Sequence, residues 1–425
     1  MASSQRQIHN FFIHPVTGNL DDSFVGIKIR NNRIDFYYPE AYAISEIDDS
    51  NAFRKDVIAI LNTISIAKTM SSEKIKIESS MNHGCTYTLQ SYLWIIRDFL
   101  SNGLYKNREK TLKRNQRGRI NWKRTLQTQP IISNGNVIYN DLIVEVPNQV
   151  DNIIVEIHKL CVRKSIEVIG WLFGLSPNII ECRLLNLESK KYYIAILKKE
   201  LLQTFDDKKR ILLKHMLKVI DGIAADEQDE ELVYGVDSYY YIFERMIDSI
   251  FGTVVDISKF NPKADWFLKT QNYKKIPSSE LRPDTILLRN NGQTAYILDS
   301  KYYRYGTTAS IIDLPTSTSI QKQITYGEYI EQIKIREGIQ QIRNAFLLPY
   351  NKDDNKFGFT EDIEYIGFSK GEWTQNNEEF QVVYAFLIDL KHTITTWNQH
   401  NSHMKDIEKL TSEIEKQIKL GEKNF

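Results

Sequence analysis

The sequence is poor in cysteine. It holds three, Cys85, Cys161 and Cys182, an odd number with no C-x-x-C spacing. No disulfide framework or cysteine zinc site is expected, and the pattern fits a reducing cytoplasm. Long apolar runs are also missing. The longest candidate, VIGWLFGL (Val168–Leu175), falls far short of the ~18 residues a membrane span needs. The opening MASSQRQIHNFFIHP has no basic segment followed by an apolar one, so no signal peptide is expected. Nor does one sign of charge dominate: 55 Lys and Arg face 54 Asp and Glu, a net charge of +1. Any nucleic-acid contact must therefore come from a local patch. The eight histidines form no H-E-x-x-H, and neither G-x-S-x-G nor the P-loop pattern G-x-x-x-x-G-K-[ST] occurs. Zinc-peptidase, α/β-hydrolase and P-loop nucleotide chemistry have no support.

What is present is an ordinary globular composition, 42% hydrophobic and 26% charged, in 425 residues. That length allows two or three domains. The pattern predicts an α/β chain with an α+β N-terminal domain over 1–150. Within it, SFVGIKIRNNRIDFYYP reads as a hairpin turning at Asn31-Asn32, and QPIISNGNVIYNDLIVEVP as one turning at Asn134-Gly135. Helical spacing marks FRKDVIAILNTISIAKTM and TYTLQSYLWIIRDFLSNGLY. A helical middle section is expected over 151–224. The acidic ADEQDEEL (Ala225–Leu232) reads as an exposed boundary loop. Residues 233–400 alternate helices and strands, as in a mixed sheet flanked by helices. Residues 403–425 read as an amphipathic C-terminal helix that packs or binds a partner.

The stretch Lys106–Arg124 carries nine basic residues and one acidic, Glu109. Lys113, Arg114, Arg117, Arg119, Trp122, Lys123 and Arg124 are its candidate DNA- or partner-binding residues, with Tyr105 and Trp122 interleaved for stacking. The plainer alternative is a solvated face with Trp122 in the core.

The sharpest signal is RPDTILLRNNGQTAYILDSKYY (Arg282–Tyr303). Asn291-Gly292 suits a type I′ turn, which needs positive φ at both central residues. With that turn, partner positions sum to 583, so Asp284 faces Asp299. Lys301 follows two residues later on the same side. Like charges opposed across strands repel. A divalent cation relieves that repulsion, and hard oxygen ligands suit Mg²⁺. A lysine beside it can hold a phosphate or an attacking water. Upstream, Glu244 lies at the edge of the apolar arc of SYYYIFERMIDSIFG, where it can ligate or orient a metal-bound water. Taken singly, each of these residues also reads as a turn, an ion pair or a surface charge.

These residues resemble the P-D…(D/E)-x-K signature of the PD-(D/E)XK nucleases, here Pro283-Asp284 and Asp299-Ser300-Lys301. The chain is similar to the LlaJI-type and McrC-type nuclease subunits of restriction systems. The similarity runs through IFERMIDSIFG, DW, LRPDTILL, YILDSKYY, KQITYG and FLLPY, and more loosely through GRINWKRTL. The resemblance implies a restriction-endonuclease-like C-terminal core and a Mg²⁺-dependent DNA endonuclease, with Mn²⁺ as a substitute. It implies metal ligation by Asp284, Asp299, Glu244 and the Ser300 backbone carbonyl. Lys301 completes the catalytic set, and the products carry 5′-phosphate and 3′-hydroxyl ends. Gln323 and Tyr326 match an auxiliary Gln and Tyr, one residue closer together than in some relatives, and Arg282 could touch a phosphate. The implied partners are double-stranded DNA and a McrB-like AAA+ GTPase, engaged through the N-terminal part. Dimerisation for double-strand cleavage also follows. The rivals are a self-sufficient type II restriction enzyme and an inert assembly or activator subunit with a nuclease fold.

Overall fold

Alternating apolar and polar residues predict strands near the start of the chain, and the computed structural model forms them. It describes residues 10–18, 22–30, 33–70, 86–105, 110–133, 136–147, 153–183, 189–222, 232–374, 378–399 and 403–421. The chain divides into two units, residues 1–81 with 233–425, and residues 82–232.

The first segment holds β1 (Asn10–Val16), β2 (Val25–Arg30), β3 (Arg33–Pro39) and α1 (Ser50–Met70). Strand β3 pairs parallel to β1 and antiparallel to β2. Arg30 faces Arg33, as a two-residue link requires, although Asn31-Asn32 themselves lie outside the described residues. Helix α1 buries Phe53, Val57, Ile60 and Ile64, one stripe at helical spacing.

The second unit begins with α2 (Thr86–Asn102). Gly103 ends it at φ 74°, its N–H bonded to the Phe99 carbonyl. Then come β4 (Lys110–Arg114), β5 (Arg119–Ile120), α3 (Trp122–Thr125), β6 (Ile131–Ser133), β7 (Asn136–Ile138) and β8 (Ile143–Pro147). Strand β8 lies between β4 and β5, and β6 pairs with β7 around the expected Asn134-Gly135, itself outside the described residues. Helices α4 (Ile153–Ile169), α5 (Lys190–Gln203) and α6 (Asp207–Gly222) complete the unit, with α2 packed against α4 and α6. The middle of the chain is helical, as its periodicity predicts. Residues 225–231 of the acidic boundary segment lie outside the described residues.

The chain returns to the first unit through β9 (Leu232–Val236), α7 (Tyr239–Phe251), β10 (Lys263–Phe267), β11 (Lys275–Glu280), β12 (Thr285–Arg289) and β13 (Thr294–Ser300). There follow α8 (Tyr305–Thr308), α9 (Ser317–Glu337), β14 (Gln341–Tyr350), β15 (Ile363–Lys370), β16 (Val382–Asp389), α10 (Leu390–Gln399) and α11 (Met404–Gly421). Strand β9 joins β2 as the edge of the N-terminal sheet. The approach is close: a Cβ on Gly26 would stand 2.3 Å from the Tyr234 carbonyl oxygen. With α1 also packed on α7 and α10, this pairing draws residues 1–81 to the C-terminal segment. Residues 82–150 group instead with the helices that follow, so the chain divides at 81 and 232 where the sequence reading divides it at 150 and 233.

The main sheet has the order β12-β13-β14-β16-β15, with β13, β14 and β16 parallel and the edges antiparallel. All seven residues of β13 are buried, as a central strand covered on both faces should be. On one face Ala295 and Ile297 pack against Tyr326 and Ile330 of α9. From the other face Tyr296 and the buried Arg343 reach Glu415 of α11, at 3.0 and 3.1 Å. The C-terminal helix thus packs on the main sheet and buries Ile407, Leu410 and Ile414, while Met404 of the expected apolar stripe stays exposed.

Candidate active site

The β12–β13 hairpin turns where its sequence demands. Asn291 and Gly292 have φ of 55° and 87°, and Gln293 N–H bonds to the Asn290 carbonyl at 3.2 Å. Those are the marks of a type I′ turn. Asn290 is left-handed as well, so the ladder proper ends at Arg289 and Thr294. The register is unchanged: Thr285 faces Leu298 and Ile286 faces Ile297. One residue beyond the ladder, Asp284 meets Asp299.

Their carboxylates converge on one ammonium. Lys301 Nζ lies 2.9 Å from Asp299 Oδ2 and 3.8 Å from Asp284 Oδ2. The lysine is held by the sheet, since its N–H continues the ladder to the Leu347 carbonyl. Ser300 N–H donates to Asp284 Oδ2 at 3.1 Å. Asp299 is only 2% exposed, and neither of its oxygens accepts a hydrogen bond of acceptable geometry. Lys301 meets it as an ion pair off the hydrogen-bonding direction. Burial, then the neighbouring Asp299 charge, pushes the Asp284 carboxyl above its ordinary range. For Lys301, burial works against the charge, but Asp299 and Asp284 outweigh it and raise its pKa. Glu244, on α7, is raised by burial and lies in the field of Lys301, Asp299 and Lys322. An open cleft of about 360 Å³ is lined by Glu244 and Lys301 of this group, with Tyr240, Ser300, Tyr303 and Lys322 among others.

Among the described residues, no group of three or more His, Cys, Asp and Glu stands ready-made for a metal ion. The donor set nevertheless fits a hard divalent cation. Two carboxylates share one buried corner, and Lys301 is the cation the structure sets against the Asp299 oxygens. Ser300 ends the strand between them, and Glu244 faces the same cleft, so either could supply a further oxygen.

The other predicted residues divide. Gln323 sits against the strand that carries Asp299. It is buried, and its Nε2 donates to the Ile297 carbonyl at 2.8 Å, tying α9 to β13. Tyr326 is buried too, and its hydroxyl donates to the Arg282 carbonyl at 2.7 Å, two residues before Asp284. Arg282 is exposed, and its charge acts on Asp248. In the other unit Lys113, Arg114, Arg117, Arg119, Lys123 and Arg124 are all exposed. Trp122 is 57% exposed, against the alternative that it belongs to the core. Tyr105 is a correction. It is buried, with its hydroxyl donating to Glu200 at 2.8 Å, so it offers no stacking face beside the basic stretch.

Two residues escaped the sequence. Asp248 lies one turn beyond Glu244, accepts from the Thr285 hydroxyl at 3.3 Å, and has its carboxyl raised by burial. Its spacing in ERMID was the available sign. Asn344 is fully buried and donates to the carbonyls of Gln323 and Phe380. It opens NAFLLPY, whose FLLPY is one of the segments that carry the resemblance, but no role was read for it there.

Comparison with known proteins gives one family. The LlaJI restriction endonuclease family matches residues 24–391. No curated protein matches. Among solved structures, the chain is similar to one from Thermococcus gammatolerans, described as a refined half-complex from a tetradecameric assembly of McrB AAA+ hexamers with bound McrC. Identity there is 15%, coverage 91% of this chain and 83% of that one, and the TM-score 0.37. The Thermococcus gammatolerans McrBC complex matches at 14% identity over 53% of this chain and 64% of that one, with a TM-score of 0.25.

Proposed function

We propose, for a chain that belongs to the LlaJI restriction endonuclease family, that it is a divalent-metal-dependent endonuclease with a PD-(D/E)XK core, cutting double-stranded DNA in a prokaryotic restriction system. The observation that carries this is the meeting of Asp284, Asp299 and Lys301 at the end of one buried hairpin. Two acids and a lysine there have no structural need for one another. A well-packed apolar end would cost less than burying three charges.

Asp284 and Asp299 would hold the cation, with Glu244 and the Ser300 carbonyl as further oxygen donors. A bound Mg²⁺ supplies Lewis acidity toward the phosphate and the leaving oxygen. Lys301, kept charged by its two acids, neutralises the phosphate and orients the attacking water. Glu244, facing the cleft, would ligate the cation or orient a water bound to it. With one such centre among the described residues, cutting both strands at once would call for two copies.

The McrC-like segments support a division of labour with a McrB-like AAA+ GTPase. The basic face around Trp122 is the part of the chain we assign to that partner or to DNA. The test is plasmid cleavage by the full chain with Mg²⁺, with and without the neighbouring AAA+ protein and GTP. Cleavage that is lost in Asp299→Ala with DNA binding retained is the expected result. Cleavage at one fixed sequence without nucleotide would turn the reading toward a self-sufficient enzyme. Cleavage by Asp299→Ala at the wild-type rate would sink the catalytic assignment.

A further inference from the structure

Among the described residues, the hairpin β10–β11 pairs with no other strand. An isolated two-stranded ribbon is marginal in water, and this one is clothed in large apolar side chains. Trp266 and Tyr273 are each 61% exposed, and Phe267 58%. Strand alternation sets Phe267 and Trp266 on opposite faces, so the ribbon is apolar on both sides. A ribbon that packed on a flat protein surface would need only one such face.

Its charges are distributed unevenly. Lys275 pairs with Asp265 at 2.8 Å, and Lys263 with Glu280 at 3.6 Å. Both acids of the ribbon are thereby matched. Lys269 and Lys274, in the link between the strands, have no ion-pair partner among the described residues and are exposed. At the base, Leu281 N–H bonds to the Pro262 carbonyl, and the chain runs on through Arg282 and Pro283 into Asp284. The ribbon therefore springs from the segment that delivers a catalytic aspartate.

We infer that β10–β11 is a DNA-gripping arm, which enters a groove of the duplex beside the bond to be cut. The major groove of B-DNA, about 12 Å wide, accepts a two-stranded ribbon and walls it on both faces. Lys269 and Lys274 meet phosphates at the far side, and Trp266, Phe267 and Tyr273 pack against sugars and base edges. Five residues of strand at about 3.4 Å each give a reach of about 17 Å. That corresponds to roughly five base pairs on one side of the cut. The inference rests on the proposed nuclease reading, since it assigns the substrate of that same centre.

The test uses the full chain in EDTA and a fluorescein-labelled duplex, read by anisotropy between about 50 and 200 mM salt. The double variant Lys269→Ala/Lys274→Ala should lower the slope of log K against log salt by about 1.8, and the arginine pair should restore it. Trp266→Ala/Tyr273→Ala should weaken binding about tenfold at unchanged slope. Hydroxyl-radical protection should shrink by roughly five base pairs on one side in each. Melting temperatures should match the wild type, because these side chains face solvent. Unchanged slope and affinity in both variants would overturn the arm, as would a wild-type chain that binds no duplex at about 50 mM salt. The two readings fail separately. Loss of binding in the arm variants while Asp299→Ala still cuts overturns the catalytic centre and keeps the arm. Wild-type binding by the arm variants while Asp299→Ala is dead does the reverse.

Discussion

Tyr326→Phe removes one atom and tests how the corner of Asp284 and Asp299 is kept in place. The phenol hydroxyl donates to the Arg282 carbonyl at 2.7 Å, while the ring packs in a cluster with Ile286, Ile297 and Ile330. Phenylalanine keeps the packing and loses only the bond. A typical hydrogen bond contributes about 0.5–1.5 kcal/mol, and a carbonyl left dry costs about 1–3. Arg282 is exposed, so water can replace the hydroxyl and the lower range applies. A loss of about 1 kcal/mol lowers Tm by about 2–4 °C in a unit of this size. The functional effect is larger, because rigid Pro283 transmits any shift of Arg282 to Asp284. A misplacement on the order of 1 Å at a reacting centre costs as much as ~100-fold in rate. Plasmid cleavage should fall at least tenfold at limiting Mg²⁺ and recover in part at high Mg²⁺. Calorimetry and a Mg²⁺ titration of cleavage read both effects. A Tm that falls with the cleavage profile unmoved would make Tyr326 merely structural. A Tm that does not fall would remove the bond itself.

Three other outcomes are expected. Burial and Asp299 hold the folded-state pKa of Asp284 above its unfolded value, so this group's stabilisation is full below ordinary carboxylate pKa values and is lost as pH rises through the folded value. Asp284→Asn should therefore abolish cleavage yet raise the Tm of the metal-free protein at alkaline pH; a lower Tm there would contradict the sign. His392 stands 3.1 Å from Asp406 of α11 and 3.6 Å from Asp362, with Asp389 accepting its backbone N–H, and the Asp406 hydrogen bond raises its pKa despite burial. Its stabilisation is present below about pH 6.5 and lost as pH rises through the folded value, so α11 amides should lose exchange protection in alkali, and His392→Asn should erase the difference. Gly327→Ala would set a Cβ 2.8 Å from Phe380 Cβ and 2.9 Å from Asn344 Nδ2. Overpacking of about 1–3 kcal/mol should appear as a lower Tm, and an unchanged Tm would mean that α9 is free to shift.

The hairpin, the helices and the C-terminal stripe were legible because each depends on neighbours in the chain. Asn-Gly fixes a turn, a turn fixes register, and register brings Asp284 to Asp299 without knowledge of the rest of the fold. The same locality explains the failures. Tyr105 looked like a stacking residue beside basic neighbours, but Glu200, far along the chain, takes its hydroxyl and the core takes its ring. That Gln323 would be buried with its amide on the Ile297 carbonyl, two residues before Asp299, was likewise beyond local reading.

By itself the sequence determined which residues could form a cation-holding corner, because turn chemistry and strand period are short-range rules. Only the tertiary structure decided that residues 1–81 join the C-terminal segment, since β2 meets β9 across the whole second unit. It also decided that the Tyr326 hydroxyl meets the Arg282 carbonyl, and that Trp266 and Phe267 of the ribbon are more than half exposed. Burial and long-range pairing are properties of the assembled chain, and no local pattern of residues encodes them.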